Sequence, residues 1–210
     1  MKSIKFLSVV LALVLCSCTT QPTNQELHAF EGETILVIPP VSKDSKVGDS
    51  VGRSLTDFLI TEAGTDVRYA GDVPKLNSIM SRDNLFADGQ INMGEVTRIG
   101  KAVNAHEVVC VTIKSVNPYP PQKMSALVIV RNIDGDRYRQ KVSYVTVDMK
   151  NPMHKKEFAD FAGGSLRGPL GDRFVKKTNV NAEAALLSND EFSKYVGYKI
   201  AKSILLMKKY

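Results

Sequence analysis

The chain has 210 residues, 43% of them hydrophobic, with 28 Lys and Arg against 22 Asp and Glu and a formal net charge of +6. With 14 Gly, 9 Pro and 3 Cys, it is not collagenous, not a disulfide-dense miniprotein and not disordered throughout. Removing an N-terminal targeting segment leaves about 190 residues, which suits one well-packed domain rather than two large ones.

Lys2 and Lys5 precede an apolar run from Phe6 to Leu15, too short for a bilayer span of roughly 20 residues and typical of an export signal. The following Leu15-Cys16-Ser17-Cys18 resembles the bacterial lipobox. Cys18 is the expected lipid-attachment residue, carrying fatty acyl chains such as palmitate, and residues 1–17 are the expected lipoprotein signal peptide. Cys16 fits poorly, because Leu15 would stand before the cleavage point where small side chains are favoured. Cleavage before Cys18 also removes Lys2 and Lys5, so the charge of +6 falls by two. Such a mildly basic exported chain does not suggest a nucleic-acid partner. Cys110 is left as the one free thiol, with no intramolecular disulfide to form. Thr19 after the lipidated residue implies the outer membrane, facing the periplasm. Residues 18–32, the lipidated Cys and a polar stretch, read as a tether, and 33–210 as the globular periplasmic domain.

Within that domain Thr34 to Ile38 is a continuous apolar run closed by Pro39-Pro40, the pattern of a strand buried on both faces and placed at the centre of the sheet. Apolar residues at Val47, Val51, Leu55, Phe58 and Leu59 have helical spacing up to Glu62, with Gly64 as a C-cap. Asp66 to Ala70 is a second strand, which completes a βαβ unit with an expected right-handed crossover. Helices are expected over Lys75 to Leu85, with Leu76, Ile79 and Met80 inward, and over Met93 to Asn104, with Val96, Ile99 and Val103 inward. Asp72 and Asn92 are their candidate caps. Glu107 to Val116 is the next strand, holding Cys110 as a small buried hydrophobe. After a stiff turn at Pro118, Pro120 and Pro121, the runs Ala126 to Ile133 and Tyr138 to Met149 form an antiparallel pair around Asp134-Gly135-Asp136. Periodicity fades from Asn151 to Ala185. Asn189 to Lys209 is helical, with Phe192, Val196, Ile200, Ile204 and Met207 in one stripe. The fold class is therefore α/β, bordering on α+β: one mixed sheet that begins with a βαβ unit, continues as an antiparallel hairpin and carries packed helices, the last at the C-terminus. Ile35, Val37, Leu55, Leu59, Val109, Val111 and Ile204 are expected to share the core.

No set of residues composes a catalytic centre. His106-Glu107 starts like a zinc-protease helix but lacks the second His and runs into a strand. His154 and Glu157 could share a helical turn, a pair that more often reads as solvated surface. Gly163 to Gly168 lacks the Lys and Ser or Thr of a phosphate loop. Asp134 and Asp136 sit at a hairpin tip, among the wettest places in a protein. Ser165 has no identifiable base. The expectation is a protein that is not an enzyme and uses no cofactor or metal. Lys155, Lys156, Arg167, Arg173, Lys176 and Lys177 make the 153–178 segment basic, which suits a solvated loop better than a polyanion site, because Glu157, Asp160 and Asp172 interrupt it.

The succession of lipobox, tether, Gly32-Glu-Thr-Ile-Leu-Val-Ile-Pro-Pro40 and the stretch Ile99-Gly100-Lys-Ala leading into the 107–113 strand resembles a periplasmic lipoprotein superfamily. Its members include the curli secretion channel, the lipoprotein activators of penicillin-binding proteins and the N-terminal domain of the Tol-system propeller protein. The resemblance implies an outer-membrane lipoprotein that binds or scaffolds another envelope protein in secretion, surface assembly or wall synthesis, and it is compatible with a homo-oligomer. The rival is a secretion-pore subunit related to the curli channel, with residues 150–185 inserting as a hairpin. Against it, the first insertion point has shrunk to Asn117-Pro-Tyr-Pro-Pro-Gln122, and the second lacks apolar alternation.

Overall fold

The computed structural model describes residues 34–133, 140–163 and 187–209, apart from 64, 78, 79, 81, 88 and 89. Cys16, Cys18, the tether, Gly64, Ile79, the Asp134-Gly135-Asp136 turn, Ser165 and the basic residues Arg167, Arg173, Lys176 and Lys177 lie outside the described residues.

The chain enters the sheet at β1 (Thr34–Val37). This short strand is interior, with β2 (Asp66–Tyr69) parallel on one side and β5 (Glu107–Asn117) parallel on the other. Its entry is clamped: the Thr34 N–H donates to His106 Nδ1 at 3.0 Å, and the His106 N–H donates to the Thr34 carbonyl at 2.8 Å. Beyond β5 the sheet turns antiparallel through β6 (Lys123–Asn132) and β7 (Gln140–Asp148). The five strands run in the order β2-β1-β5-β6-β7, an open mixed sheet in a single α/β domain. The middle place belongs to β5 rather than to β1, because the antiparallel hairpin adds its strands on the β5 side. A register shift between Ile113 and Ser115 marks a bulge in β5, which leaves Lys114 exposed.

One face of the sheet is covered by three helices: α1 (Ser45–Ala63), α5 (Pro152–Ala162) and α6 (Asn189–Lys209). Ile35, Val37, Leu55, Leu59, Val109, Val111 and Ile204 belong to one buried cluster there, as their alternation and helical spacing predict. The α6 stripe is oriented as expected, with Phe192, Val196, Ile200 and Ile204 buried and Met207 against the same core. The second face is covered over β1 and β5 by α4 (Met93–Ala102), whose Val96 and Ile99 pack with Leu36, Ile38, Val108 and Cys110. Asn92 caps α4 as predicted, its Oδ1 accepting from the N–H groups of Gly94 and Glu95. The helix ends two residues before the expected Asn104, which takes φ 55° and lets the Ala105 N–H reach back to the Gly100 carbonyl.

The predicted 75–85 helix is broken. It consists of α2 (Pro74–Asn77) and α3 (Arg82–Leu85), followed by a two-stranded ribbon of β3 (Phe86–Ala87) and β4 (Gln90–Ile91). Pro74 fixes the start, and Asp72, expected as the cap, instead ends a short 3-10 turn and pairs with Arg53.

The larger correction is α5. Asn151 Oδ1 accepts from the Met153 N–H and Pro152 stands in the first turn, a start signal that the sequence carried in plain form. Phe158, Phe161 and Ala162 then fall at helical spacing and pack against Tyr195 and Phe58. Residues 152–162 are thus helix, where the rival reading expected the start of a hairpin.

Candidate functional site

Ile38 is still bonded to the sheet, its N–H donating to the Val109 carbonyl at 2.9 Å, and Val41 rejoins it through Val111 at 2.9 Å. Between them Pro39 and Pro40 have no N–H to offer, so the chain lifts away at the C-terminal end of β1. In open α/β sheets that end is where ligands commonly bind. A cleft of about 510 Å³ opens here. Ile38, Pro40, Met80, Leu85 and Phe86 give it apolar walls, and Lys46 and Asp49 from the start of α1 line its polar side.

The polar wall is held in place from behind. The Tyr69 hydroxyl donates to Asp49 Oδ1 at 2.7 Å, Arg53 Nε donates to Asp49 Oδ2 at 3.1 Å, and Arg53 Nη1 reaches Asp72 at 2.9 Å. The guanidinium lies 5.1 Å from the Tyr69 ring centroid. Burial, then the neighbouring Asp49 carboxylate, push the Tyr69 phenol well above its ordinary range. The hydrogen bonds that Arg53 donates to Asp72 and Asp49 likewise hold its guanidinium in the charged form. Gly52 makes this arrangement fit, since a Cβ there would lie 2.5 Å from Pro40 Cδ and 2.8 Å from the Tyr69 ring. Asp49, the one carboxylate of the cleft among the described residues, is therefore committed to Tyr69 and Arg53. An arrangement of this kind can hold an apolar segment and orient it.

The candidate residues from the sequence have structural posts. His106 Nδ1 accepts from Thr34, and Glu107 meets Lys208 at 2.6 Å with both side chains largely buried. His154 Nδ1 accepts from the Asp148 N–H at 3.1 Å. Glu157 is not a solvated surface group: it bonds Lys199 at 2.7 Å and accepts from the Tyr195 hydroxyl at 3.0 Å, with Lys202 at 3.5 Å. Burial opposes its charge, but those partners prevail and hold its carboxyl below the usual carboxylate range. Cys110 is buried as expected, and loss of water around it pushes its thiol up to about 12. Among the described residues no group of three or more His, Cys, Asp or Glu could hold a metal ion. No helix among them is long and apolar enough to cross a membrane. The cleft itself was missed by sequence reasoning. Its only signal was Pro39-Pro40 directly after a buried strand, read as a stop rather than as a wall.

Neither the known family models nor the curated proteins include a match to this chain. Among solved structures, the chain is similar to lipoprotein GNA1162 from Neisseria meningitidis at 17% identity, with 56% of this chain and 83% of that one covered and a TM-score of 0.38. It is similar to hypothetical protein CT253 from Chlamydia trachomatis at 11% identity, over 55% of this chain and 71% of the other, with a TM-score of 0.38. The PelC dodecamer from Paraburkholderia phytofirmans aligns at 10% identity over 60% of this chain and 80% of its own, with a TM-score of 0.36.

Proposed function

We propose that this chain is a non-enzymatic outer-membrane lipoprotein, anchored through Cys18, whose α/β domain binds or scaffolds another protein of an envelope system in secretion, surface assembly or wall synthesis. The observation that carries the reading is the cleft after β1, whose walls are apolar and whose carboxylate Asp49 is already engaged by Tyr69 and Arg53. Such a site recognises a surface rather than transforming a substrate. The lipobox and the resemblance to periplasmic lipoproteins supply the compartment. The pore reading is weaker, because a hairpin from 150–185 would need its first arm extended where 152–162 is helical, with Lys155 and Lys156 turned alternately inward and toward lipid.

The test compares lipidated wild type with Phe86→Glu, which places a charge in the cleft wall. A membrane protein captured by the wild type and lost in the variant, in solubilised membranes with mass-spectrometric identification, supports the proposal. Equal capture by both proteins removes the cleft from it. Discrete single-channel currents from the purified lipidated protein would replace it with the pore reading.

A further inference from the structure

The two edges of the sheet are built differently. β2 is four residues long and carries the exposed pair Asp66 and Arg68, the kind of short, charged edge that discourages further pairing. β7 is nine residues long, pairs without interruption with β6, and contains no Pro and no bulge. Its one Lys, Lys141, is turned to the helix side, where it donates to the Met207 carbonyl. Among the described residues no strand lies beyond β7.

The direction of its free groups follows from one bond. The Met149 N–H donates to the Gln122 carbonyl at 2.9 Å, and in an antiparallel ladder such pairs recur at every second residue. Odd positions of β7 therefore bond to β6. Gln140, Val142, Tyr144 and Thr146 direct their N–H and C=O groups outward, whereas those of Asp148 are taken within the chain, its N–H by His154 Nδ1 at 3.1 Å and its C=O by the Asn151 N–H at 2.9 Å. These same residues place their side chains on the face away from α6, opposite the side on which Ser143 bonds Ser203. Tyr144 is 76% exposed there and Val142 49%.

We propose that β7 pairs with β7 of a second copy of this chain, antiparallel about a two-fold axis through Tyr144, so that two five-stranded sheets join into one. Of the free outward positions, Val142, Tyr144 and Thr146 are symmetric about Tyr144, which makes this part of the strand its own complement. Val142 meets the partner's Thr146 and Tyr144 meets the partner's Tyr144, with about six backbone hydrogen bonds across the seam, which ends at Thr146 because Asp148 is already bonded to His154 and Asn151. On the other face Lys141 meets the partner's Val147. No like charges are opposed, and the exposed apolar side chains of the edge are covered by their own counterparts. The exposed edge groups of Val142, Tyr144 and Thr146 suit a pairing strand, and the self-matching register selects a second copy over a foreign segment.

The register makes the test specific. Residues paired directly across a hydrogen-bonded position lie about 5.5 Å apart at Cα, inside the range of about 4.4–6.8 Å that a disulfide needs. Thr146 lies opposite Val142, so the two copies' Thr146 positions are roughly 13 Å apart along the strand. Under oxidation of the full-length protein in native membranes, Tyr144→Cys is expected to form a disulfide-linked dimer of twice the monomer mass, while Thr146→Cys and the wild type do not. In sedimentation of the purified protein, Tyr144→Pro, which removes one edge donor, and Tyr144→Lys, which opposes two like charges, are each expected to lose the dimer. Tyr144→Lys should keep the parent's melting temperature. A wild type that stays monomeric, equal cross-linking at 144 and 146, or a dimer that survives both Tyr144 substitutions would overturn the proposal. A monomer whose Tyr144 amide exchanges slowly would assign the edge to another segment of the same chain and overturn it equally.

Discussion

Gly197 lies where α6 crosses α1, and two opposing effects decide what Ala would do there. Inside a helix Ala is favoured over Gly by about 1 kcal/mol, so an isolated helix would gain. The crossing leaves no room for the methyl group: a Cβ on Gly197 would sit 2.8 Å from the Leu55 backbone nitrogen, 2.8 Å from Ser54 Cβ and 2.9 Å from Ser54 Oγ. A backbone atom cannot rotate aside, so the helices must part by several tenths of an ångström. That movement strains the bond from Ser54 Oγ to the Lys194 carbonyl, now 3.1 Å, and loosens Leu55, Val196 and Ile200, all at or below 1% exposure. Overpacking typically costs about 1–3 kcal/mol, and a clash with backbone belongs in the upper part of that range, about 2–3 kcal/mol, so net of the propensity gain Gly197→Ala is expected to destabilise by about 1–2 kcal/mol. Urea unfolding monitored by far-ultraviolet circular dichroism should show a lower midpoint at unchanged slope, and the melting temperature should fall by about 2–4 °C per kcal/mol. A variant as stable as the parent would mean that the helices do not approach as described.

Cys18→Ser is expected to abolish fatty-acid labelling and leave uncleaved precursor; labelling that persists in this variant would remove Cys18 as the anchor. Because the folded carboxyl of Glu157 lies below its ordinary value, its contribution to stability is full above the unfolded pKa of about 4.3 and is lost as pH falls through the lower folded value. Glu157→Gln should therefore show a shallower acid limb than the wild type in that window, and parallel limbs would refute the assignment. Cys110 should resist thiol reagents at neutral pH until the protein is unfolded, since it is buried and its thiol is pushed up to about 12; rapid modification of the native protein at this residue would contradict the core assignment.

The parts of the fold legible in the sequence are those in which periodicity is strong and the residues lie next to their partners. The β1 run, the α1 and α6 stripes and the Asn92 cap each carry their signal within one turn or one strand. α5 was legible in principle, because Asn151-Pro152 is a start signal, but its apolar residues Phe158, Phe161 and Ala162 come only after the polar run His154-Lys155-Lys156-Glu157. The break in the 75–85 region could not be read from helical spacing, since Leu76 and Leu85 both reach the core, from α2 and α3 respectively. The cleft was least legible of all. Its walls come from the β1 exit, the start of α1 and the residues around α3, brought together only by the tertiary fold. The roles of His154 and Glu157 were hidden for the same reason: the partners of Glu157 on α6 lie some forty residues away.

The clamp between Thr34 and His106 has a mechanical consequence. A load drawn through the chain ahead of Thr34 and along the strand axis enters β1 directly, and β1 has a parallel neighbour on each side. The bonds to β2 and β5 then carry the force together in shear, where they must fail nearly at once, instead of peeling apart one after another as they would at an edge. Resistance to such a pull is set by the rate of unfolding rather than by equilibrium stability, and it is concentrated in four residues, Thr34 to Val37.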